Sequence, residues 1–298
     1  MKSTIKLYIL SVLAIITACD IYPQDDFEAQ VVVESYLIAQ RTLPQVRIST
    51  TLPVDEVYSF DNAALSNAVV EVRLLTGTEG SPVEQSFSYT LDSPGIYTTN
   101  DPHEVMPLRS YELFVRFNDN SNTVRSFTTV PDTFRVVSGV PESIVYQSTD
   151  QLEIEVTRSD FPGRQNVFVF STISLDPDTA NITPVYADLF DDDDFEDLTN
   201  NSSGIINEGN FEVNPSGTIT IDYPWLAVAF FGENDIIAST IDDNLLDFIR
   251  SQEVQLGGST LSPGEIQNVI FNVEGGIGVF GAIAADTVRT DILRPDGF

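Results

Sequence analysis

The stretch Gln45-Val46-Arg47-Ile48-Ser49-Thr50-Thr51-Leu52 decides the fold class. Apolar and β-branched residues occupy every second position in it, and polar residues occupy the positions between them. A period of two places the two sets on opposite faces of an extended chain. The same alternation returns over residues 151–157, where Leu152, Ile154 and Val156 alternate with glutamates. Both stretches predict half-buried β-strands.

Other segments continue this period, separated by turn signals such as Asp92-Ser93-Pro94-Gly95. The predicted strands of the first half are 30–38, 45–52, 69–75, 85–91, 111–117 and 123–129. Those of the second half are 151–157, 166–175, 218–223, 226–231, 268–273 and 277–282. One helix is predicted over 241–251, with a capping box formed by Thr240 and Asp243. We therefore expect a mainly all-β chain, with a β-sandwich over 30–130 and a second β-rich domain over 131–298.

The 298 residues carry a large excess of acid and very little imidazole or thiol. There are 14 Lys and Arg against 45 Asp and Glu, with one His and one Cys. Such a surface repels phosphate backbones, so we expect no nucleic-acid partner. One Cys cannot close an intramolecular disulfide, and one His with one Cys cannot build the common zinc sites. A Ser-His-Asp arrangement would have to use His103, which we expect to be solvated in a turn.

Residues 1–18 have the pattern of a secretory signal. Lys2 and Lys6 precede the apolar run 7–16, which is about half the roughly 20 residues that a membrane-spanning helix needs. The segment Ile16-Thr17-Ala18-Cys19 resembles a bacterial lipobox, which implies cleavage between Ala18 and Cys19 and acylation of the Cys19 thiol. The alternative is an ordinary signal peptide with an incidental cysteine. The lipobox predicts that lipid on Cys19 holds the chain at a membrane.

Residues 19–29 form an acidic, proline-containing stretch that predicts a tether rather than a packed element. Asp20, directly after the cysteine, resembles an inner-membrane retention signal of some bacteria. Acidic residues just beyond the cysteine also resemble the surface-export signals of Bacteroidota lipoproteins. We expect a lipid anchor in the outer membrane of the cell envelope, and the periplasmic and surface faces both remain open.

Two groups of segments resemble known families. Ala68-Val69-Val70-Glu71-Val72, Gly95-Ile96-Tyr97 and Tyr111-Glu112-Leu113-Phe114-Val115 resemble a prealbumin-like β-sandwich, which implies a prealbumin/Ig-like fold for residues 30–130. The segment Asn272-Val273-Glu274-Gly275-Gly276-Ile277-Gly278-Val279-Phe280-Gly281-Ala282 is the second signal. With the lipobox, the opening strand 31–37 and Leu189-Phe190-Asp191-Asp192-Asp193, it resembles domain-of-unknown-function (DUF) family 4249.

That family comprises Bacteroidota envelope lipoproteins that are commonly encoded beside TonB-dependent receptors. The resemblance covers nearly the whole mature chain. It implies an envelope lipoprotein of β architecture that is accessory to such a receptor, and it brings no catalytic residues with it.

Residues 276–281 spell the dinucleotide fingerprint G-x-G-x-x-G. The fingerprint also needs a following helix, a second strand and an acidic residue within a unit of about 30 residues. Only the stretch from Gly276 to Phe298 follows, and its surroundings do not alternate β and α. We therefore interpret these glycines as positions of close backbone packing or a bulge in a late strand.

The segment 188–197 contains seven acidic residues. Calcium takes six to eight oxygen ligands, and this segment could supply several of them, although it lacks the spaced order of a calcium loop. A solvated acidic loop is the alternative. The candidate ligands of Ca²⁺, the one candidate cofactor, are Asp191, Asp192, Asp193, Asp194 and Glu196. The apolar residues of this segment would pack against an apolar surface. The candidate partner contacts are therefore Asp188, Phe190, Phe195 and Asp197.

The function that these observations favour is a non-enzymatic, lipid-anchored envelope protein that binds a ligand or assists a TonB-dependent receptor. One alternative is a surface glycan hydrolase, which needs only a carboxylate pair; Asp222 beside Tyr223 and Trp225 is the nearest candidate, although Trp225 could equally fill the second core. Another is a structural subunit of an envelope assembly. After cleavage at Cys19 the chain would carry 12 Arg and 45 acids, a balance of −33, which predicts a saline habitat and stability that rises with salt.

Overall fold

The computed structural model describes residues 27–117, 123–150, 152–187, 195–256 and 268–296, and its architecture is mainly β, as predicted. The first-half strands are β1 Val31–Ile38, β2 Val46–Thr50, β3 Ala68–Leu75, β4 Val83–Ser93, β5 Ile96–Thr98, β6 Ser110–Phe117 and β7 Thr123–Thr129. The later strands are β8 Val136–Ser138, β9 Ser143–Val145, β10 Glu153–Thr157, β11 Val167–Ser174, β12 Asn200–Ser202, β13 Ile206–Asn207, β14 Thr218–Asp222, β15 Gly232–Ile241, β16 Val273–Glu274 and β17 Ile277–Leu293. The α-helices are α1 Phe60–Ala63, α2 Pro184–Ala187, α3 Phe195–Thr199 and α4 Asp243–Leu256. None of these helices combines the length and the apolar character that crossing a membrane requires.

The first half forms two layers joined by one long strand. One layer has the order β5-β2-β1-β17, and the other has the order β4-β3-β6-β7-β16. Strand β4 connects them, because its first part pairs with β3 and its last residues pair with β5. The inward faces of both layers contribute fully buried side chains to one core, among them Val33, Ile48, Val72 and Leu113. Each of these residues lies on the inward face of its strand, towards which every second side chain points. The period of two in the sequence is therefore the packing pattern of this core.

Strand β17 runs through both halves of the molecule. Its first part pairs in parallel with β1, from Val32 opposite Ile277 to Ile38 opposite Ile283. Its later part pairs antiparallel with β15, which in turn pairs with β11. A separate three-stranded sheet, β14-β10-β8, contributes buried residues such as Ile154 to the same core. The predicted boundary between residues 130 and 131 stays a prediction.

Two of the predicted strands are wrong. The segment 226–231 overlaps the 3₁₀ turn Trp225–Ala227, whose N-cap is Pro224. After this turn it continues as buried but irregular chain. The strand there is β15, which begins one residue later. A run of apolar residues fits any buried segment, so periodicity does not locate the strand within it. Residues 268–273 likewise contain strand only from Val273.

The predicted helix is present, but its cap is a different residue. Helix α4 begins at Asp243, and the Leu245 amide donates to Asp242 Oδ1 at 2.9 Å. Thr240, the predicted cap, lies inside β15 and its hydroxyl has no hydrogen-bond partner among the described residues. The capping box was therefore placed wrongly, because the strand continues to Ile241 and Asp242 is the first residue free to cap the helix.

The glycines of the G-x-G-x-x-G segment are packed as the sequence predicted. A Cβ added to Gly276 would lie 2.6 Å from the Val31 carbonyl oxygen, and one on Gly278 would overlap the carbonyl oxygen of Val33. A Cβ on Gly281 would overlap Leu245 of helix α4. The three glycines let β17 approach β1 and α4 more closely than any side chain permits. The segment is a structural seam rather than a nucleotide site.

Candidate functional site

The predicted lipid site, Ala18 and Cys19, lies outside the described residues. The point where the tether joins the fold is described, however. The Gln30 amide donates to Thr51 Oγ1, and the Thr51 amide donates to the Gln30 carbonyl, each at 2.9 Å. These bonds fix the start of β1 beside the end of β2. The residues that follow the predicted tether therefore enter the fold next to the loop after β2.

That loop, residues 53–58, is the most exposed apolar feature of the described chain. Val54 is 97% exposed, Val57 88% and Tyr58 64%. The Glu56 amide donates to the Pro53 carbonyl at 3.0 Å, which closes the tip into a tight turn. Single exposed apolar side chains are ordinary, but several on one exposed turn are typical of a contact surface.

The 53–58 loop combines apolar and acidic side chains. Burying Val54 or Val57 would contribute about 1.5–3 kcal/mol each. Placing the adjacent Asp55 and Glu56 in hydrocarbon would cost several kcal/mol per ion. Nearby Arg47 does not offset this cost, because it stacks over Phe60 at 4.4 Å and lies 3.7 Å from Glu34. The loop therefore presents apolar side chains next to acidic ones that resist burial in hydrocarbon.

Most of the acidic segment lies outside the described residues. This applies to Asp188, Phe190, Asp191, Asp192, Asp193 and Asp194, and to the side chains of Glu196 and Asp197, whose backbone belongs to α3. Phe195 is described, and its ring meets that of buried Phe230 edge-on, with centroids 5.7 Å apart. One end of the segment is thus fixed to an apolar cluster. In the described chain no group of three His, Cys, Asp or Glu residues could hold a metal ion. The side chains of the predicted calcium ligands lie outside the described residues, so the calcium site stays a prediction.

His103 is partly buried, and the expectation that it is solvated is wrong. Its ring stacks on Phe87 with centroids 4.2 Å apart, and Nε2 lies 2.9 Å from the Tyr111 hydroxyl. The Met106 amide donates to the same hydroxyl at 2.8 Å. Burial lowers the pKa of His103 below its usual value. The residue belongs to an aromatic cluster at the edge of the first core.

Asp242 is a buried carboxylate that the sequence analysis missed as a site. It lies in a cleft of about 240 Å³ lined also by Ser110, Phe127 and Asp243. One oxygen accepts from the Thr128 hydroxyl and the other from the Leu245 amide. Burial raises its pKa to about 6. Since both oxygens are used in capping α4 and linking it to β7, the group is arranged for structure rather than for proton transfer. The signal in the sequence is an aspartate at the start of a helix.

The aromatic residues beside Asp222 are turned into the core. Tyr223 is buried and its hydroxyl lies 2.6 Å from Thr172 Oγ1, and burial raises its pKa to about 12. Trp225 packs against the core and meets Tyr146 edge-on at 5.3 Å. Asp222 itself is exposed on β14. These rings therefore do not form a sugar-stacking surface around that carboxylate.

The model of one protein family, described as domain of unknown function (DUF4249), matches residues 17–289. The chain belongs to the DUF4249 family. The match includes Cys19, β1, the acidic segment 188–197 and the glycines of 276–281. Among curated proteins, no relative of this DUF4249 chain is found.

Solved structures resemble the DUF4249 chain only distantly. A tetra-tandem repeat from the extending region of a large adhesion protein is 11% identical, with a TM-score of 0.21, over 89% of this chain and 49% of the other. Salmonella alpha-2-macroglobulin reacted with methylamine is 9% identical, with a TM-score of 0.24, over 91% and 15%. Three N-terminal domains of the outer capsid protein Hoc of bacteriophage RB49 are 11% identical, with a TM-score of 0.20, over 90% and 71%. The chain thus spans about half of the adhesion structure and a small part of the macroglobulin, and these likenesses carry no functional argument.

Proposed function

We propose that this DUF4249 protein is a lipid-anchored lipoprotein of the outer membrane that binds a ligand or assists a TonB-dependent receptor, without enzymatic activity. One observation carries the proposal. The exposed apolar 53–58 loop lies beside the point where the tether from Cys19 enters the fold. An anchor and a contact surface at the same end of the molecule suit a protein that works against a membrane-embedded partner.

The tether sets how far this surface can reach. Seven residues lie between Cys19 and Phe27, and these eight residue steps span at most about 29 Å when fully extended. Lipid on Cys19 would hold Phe27 within this distance of the bilayer, and the 53–58 loop lies near the entry point that follows Phe27. Confinement to a thin layer raises the effective concentration of the loop near membrane proteins, so a weak contact becomes sufficient for association.

The test of anchoring is metabolic labelling with a fatty acid. We expect label in the wild-type chain and none in Cys19→Ala, and mass spectrometry should find a mature chain that begins at Cys19. An intact Met1 or an unmodified thiol at position 19 would overturn the anchor.

The test of docking is co-purification of the lipidated protein with an outer-membrane barrel. Val57→Ser with Tyr58→Ser should reduce the recovered barrel by about tenfold, because exposed apolar contacts dominate small interfaces. Val213→Ser with Leu226→Ser is the matched control, since these side chains are 50% and 61% exposed elsewhere on the molecule. Equal recovery with both double variants would contradict docking through this loop.

A further inference from the structure

A small polar cleft lies where the turn after β1 meets the middle of β17. Its volume is about 230 Å³, and its polar lining residues are Gln40, Arg41, Thr133, Arg135 and Asp286. They come from three separated parts of the chain: the β1–β2 turn, the segment before β8, and β17. Clefts at such junctions are common places for small ligands.

Neither arginine of this cleft pairs with a carboxylate of the described residues. Seven of the 12 arginines form ion pairs with carboxylates of the described residues, namely Arg47, Arg73, Arg109, Arg125, Arg158, Arg164 and Arg289. Arg41 and Arg135 form none within the described part of the chain, although the sequence holds 45 acids. Their guanidinium groups therefore keep their hydrogen-bond donors for another partner, and this fork geometry matches carboxylate and phosphate oxygens.

The backbone holds both arginines in place. The Arg41 amide donates to Ile38 at 3.0 Å, and its carbonyl accepts from Val105 at 2.8 Å. The Arg135 amide donates to Thr157 Oγ1, and its carbonyl accepts from the Thr157 amide, each at 2.9 Å. Because these positions are fixed before a ligand arrives, binding would need to order only the two side chains.

The acid in the cleft, Asp286, forms no ion pair with either described arginine. Asp286 accepts from the Val136 amide through one oxygen and from the Thr287 amide through the other, each at 2.9 Å. It thereby holds the segment that carries Arg135 against β17. The neighbouring residues on this strand, Ala284 and Ala285, are small and leave the cleft open.

We propose that Arg41 and Arg135 bind a small anionic ligand through its carboxylate or phosphate group, with Gln40 and Thr133 as neighbouring donors. The inference rests on the ligand-binding part of the proposed function and gives that ligand a chemical class. The rest of the chain limits its size. A long polyanion would meet the acidic surface, whereas a small anion in the cleft is screened from charges farther than about 10 Å away at 0.1 M salt.

The experiment is a calorimetric titration of the purified full chain with four probes. These are inorganic phosphate, galacturonate, neutral galactose, and vesicles that contain phosphatidylglycerol. We expect saturable binding of phosphate or galacturonate, and none of galactose. Arg41→Gln and Arg135→Gln should each weaken binding by about tenfold, and the double variant should abolish it. Arg116→Gln is the matched control, because Arg116 is exposed on β6 and forms no ion pair with the described residues.

The probes separate the sources of the anion. If only galacturonate binds, and its binding depends on the two arginines, the ligand is a carboxylate. If phosphate binds in this way and vesicles do not, the ligand is a free phosphate compound. If both phosphate and vesicles bind, the ligand is a lipid headgroup. Absence of binding to every anion, or binding that both arginine variants retain, would overturn the proposal. The titration measures neither lipidation nor receptor association. A negative titration therefore does not contradict the proposed lipid anchor or receptor contact. Negative results in those two tests likewise do not contradict anion binding in the cleft.

Discussion

At the residue scale, Asp242 makes the stability of the protein depend on pH. Its pKa is about 6 in the folded chain because the carboxyl is buried, against 3.8 for an exposed aspartate. The folded state therefore favours the protonated form. The protonated carboxyl contributes on the order of 3 kcal/mol to the free energy of unfolding. This contribution is complete below the pKa of the unfolded chain and is lost as the pH rises through 6.

Asp242→Asn should remove this dependence. Relative to the wild type, the variant should gain stability as the pH rises from about 4 to 7, by up to about 3 kcal/mol. Urea unfolding of both proteins across this range measures the difference. Asp247→Asn makes the same charge change on the exposed side of α4 and should show no such trend. A difference between wild type and Asp242→Asn that is constant with pH would contradict the account.

Gly278 is the residue on which the pairing of β1 with β17 depends most. Its φ is +114°, and a Cβ there would overlap Val33. We expect Gly278→Ala to destabilise the protein by at least about 2 kcal/mol, since strain and overlap add. Gly163→Ala separates the two effects, because Gly163 has φ +87° but open space around it, and should cost about 1 kcal/mol. Equal losses in thermal unfolding would show that the overlap is relieved without cost.

At the scale of elements, the strands of the first half could be predicted from the sequence. Residues 45–52 alternate cleanly, and β2 lies within them at Val46–Thr50 with Val46 and Ile48 buried. The run 226–231 could not be assigned in the same way, because apolar residues on both faces fit a buried irregular chain as well as a strand. The partnership of β1 with β17 was also beyond prediction, since local patterns do not say which distant strands pair.

The candidate sites were less predictable than the strands. Val54, Val57 and Tyr58 have no period that distinguishes an exposed turn from a short buried strand. Arg41 and Arg135 are far apart in the sequence and match no motif, and the fold brings them to one cleft. The lipobox prediction rests on local sequence alone, and it stays a prediction because Cys19 lies outside the described residues.

The acidic segment 188–197 carries its own prediction. Calorimetric titration of Ca²⁺ into the chelator-treated protein should release heat and raise the melting temperature if carboxylates of this segment bind the ion. Replacing Asp191, Asp192, Asp193 and Asp194 by Asn should abolish both effects. Replacing Asp222 and Asp247, two exposed acids elsewhere, is the control. No heat and no shift in melting temperature with the wild type would end the calcium hypothesis.

At the scale of the whole molecule, the net charge of −31 should make stability depend on salt. Like charges repel in the compact state, and the screening length falls from about 10 Å at 0.1 M to about 3 Å at 1 M. The ion pairs of exposed arginines are also screened, but each contributes only about 0–1 kcal/mol. We therefore expect the melting temperature to rise with NaCl at pH 7.

The control for this prediction is the same salt series at about pH 4, where many carboxyls are neutral. The rise in melting temperature should be smaller there, because less repulsion remains to be screened. A melting temperature at pH 7 that is flat or falls with NaCl would contradict the repulsion argument and, with it, the inference of a saline habitat.

The parallel pairing of β1 with β17 also governs the order in which the molecule can be completed. Val32 must find Ile277 across almost the entire described chain, so the closing contact is of very high contact order, and folding that depends on it is slow. Because synthesis starts at the amino end, β1 is made long before β17. The edge of β1 that pairs with β17 therefore stays unpaired until the carboxyl-terminal residues are made. The risk of misassembly is highest in that interval, because an unpaired strand edge can pair with other chains.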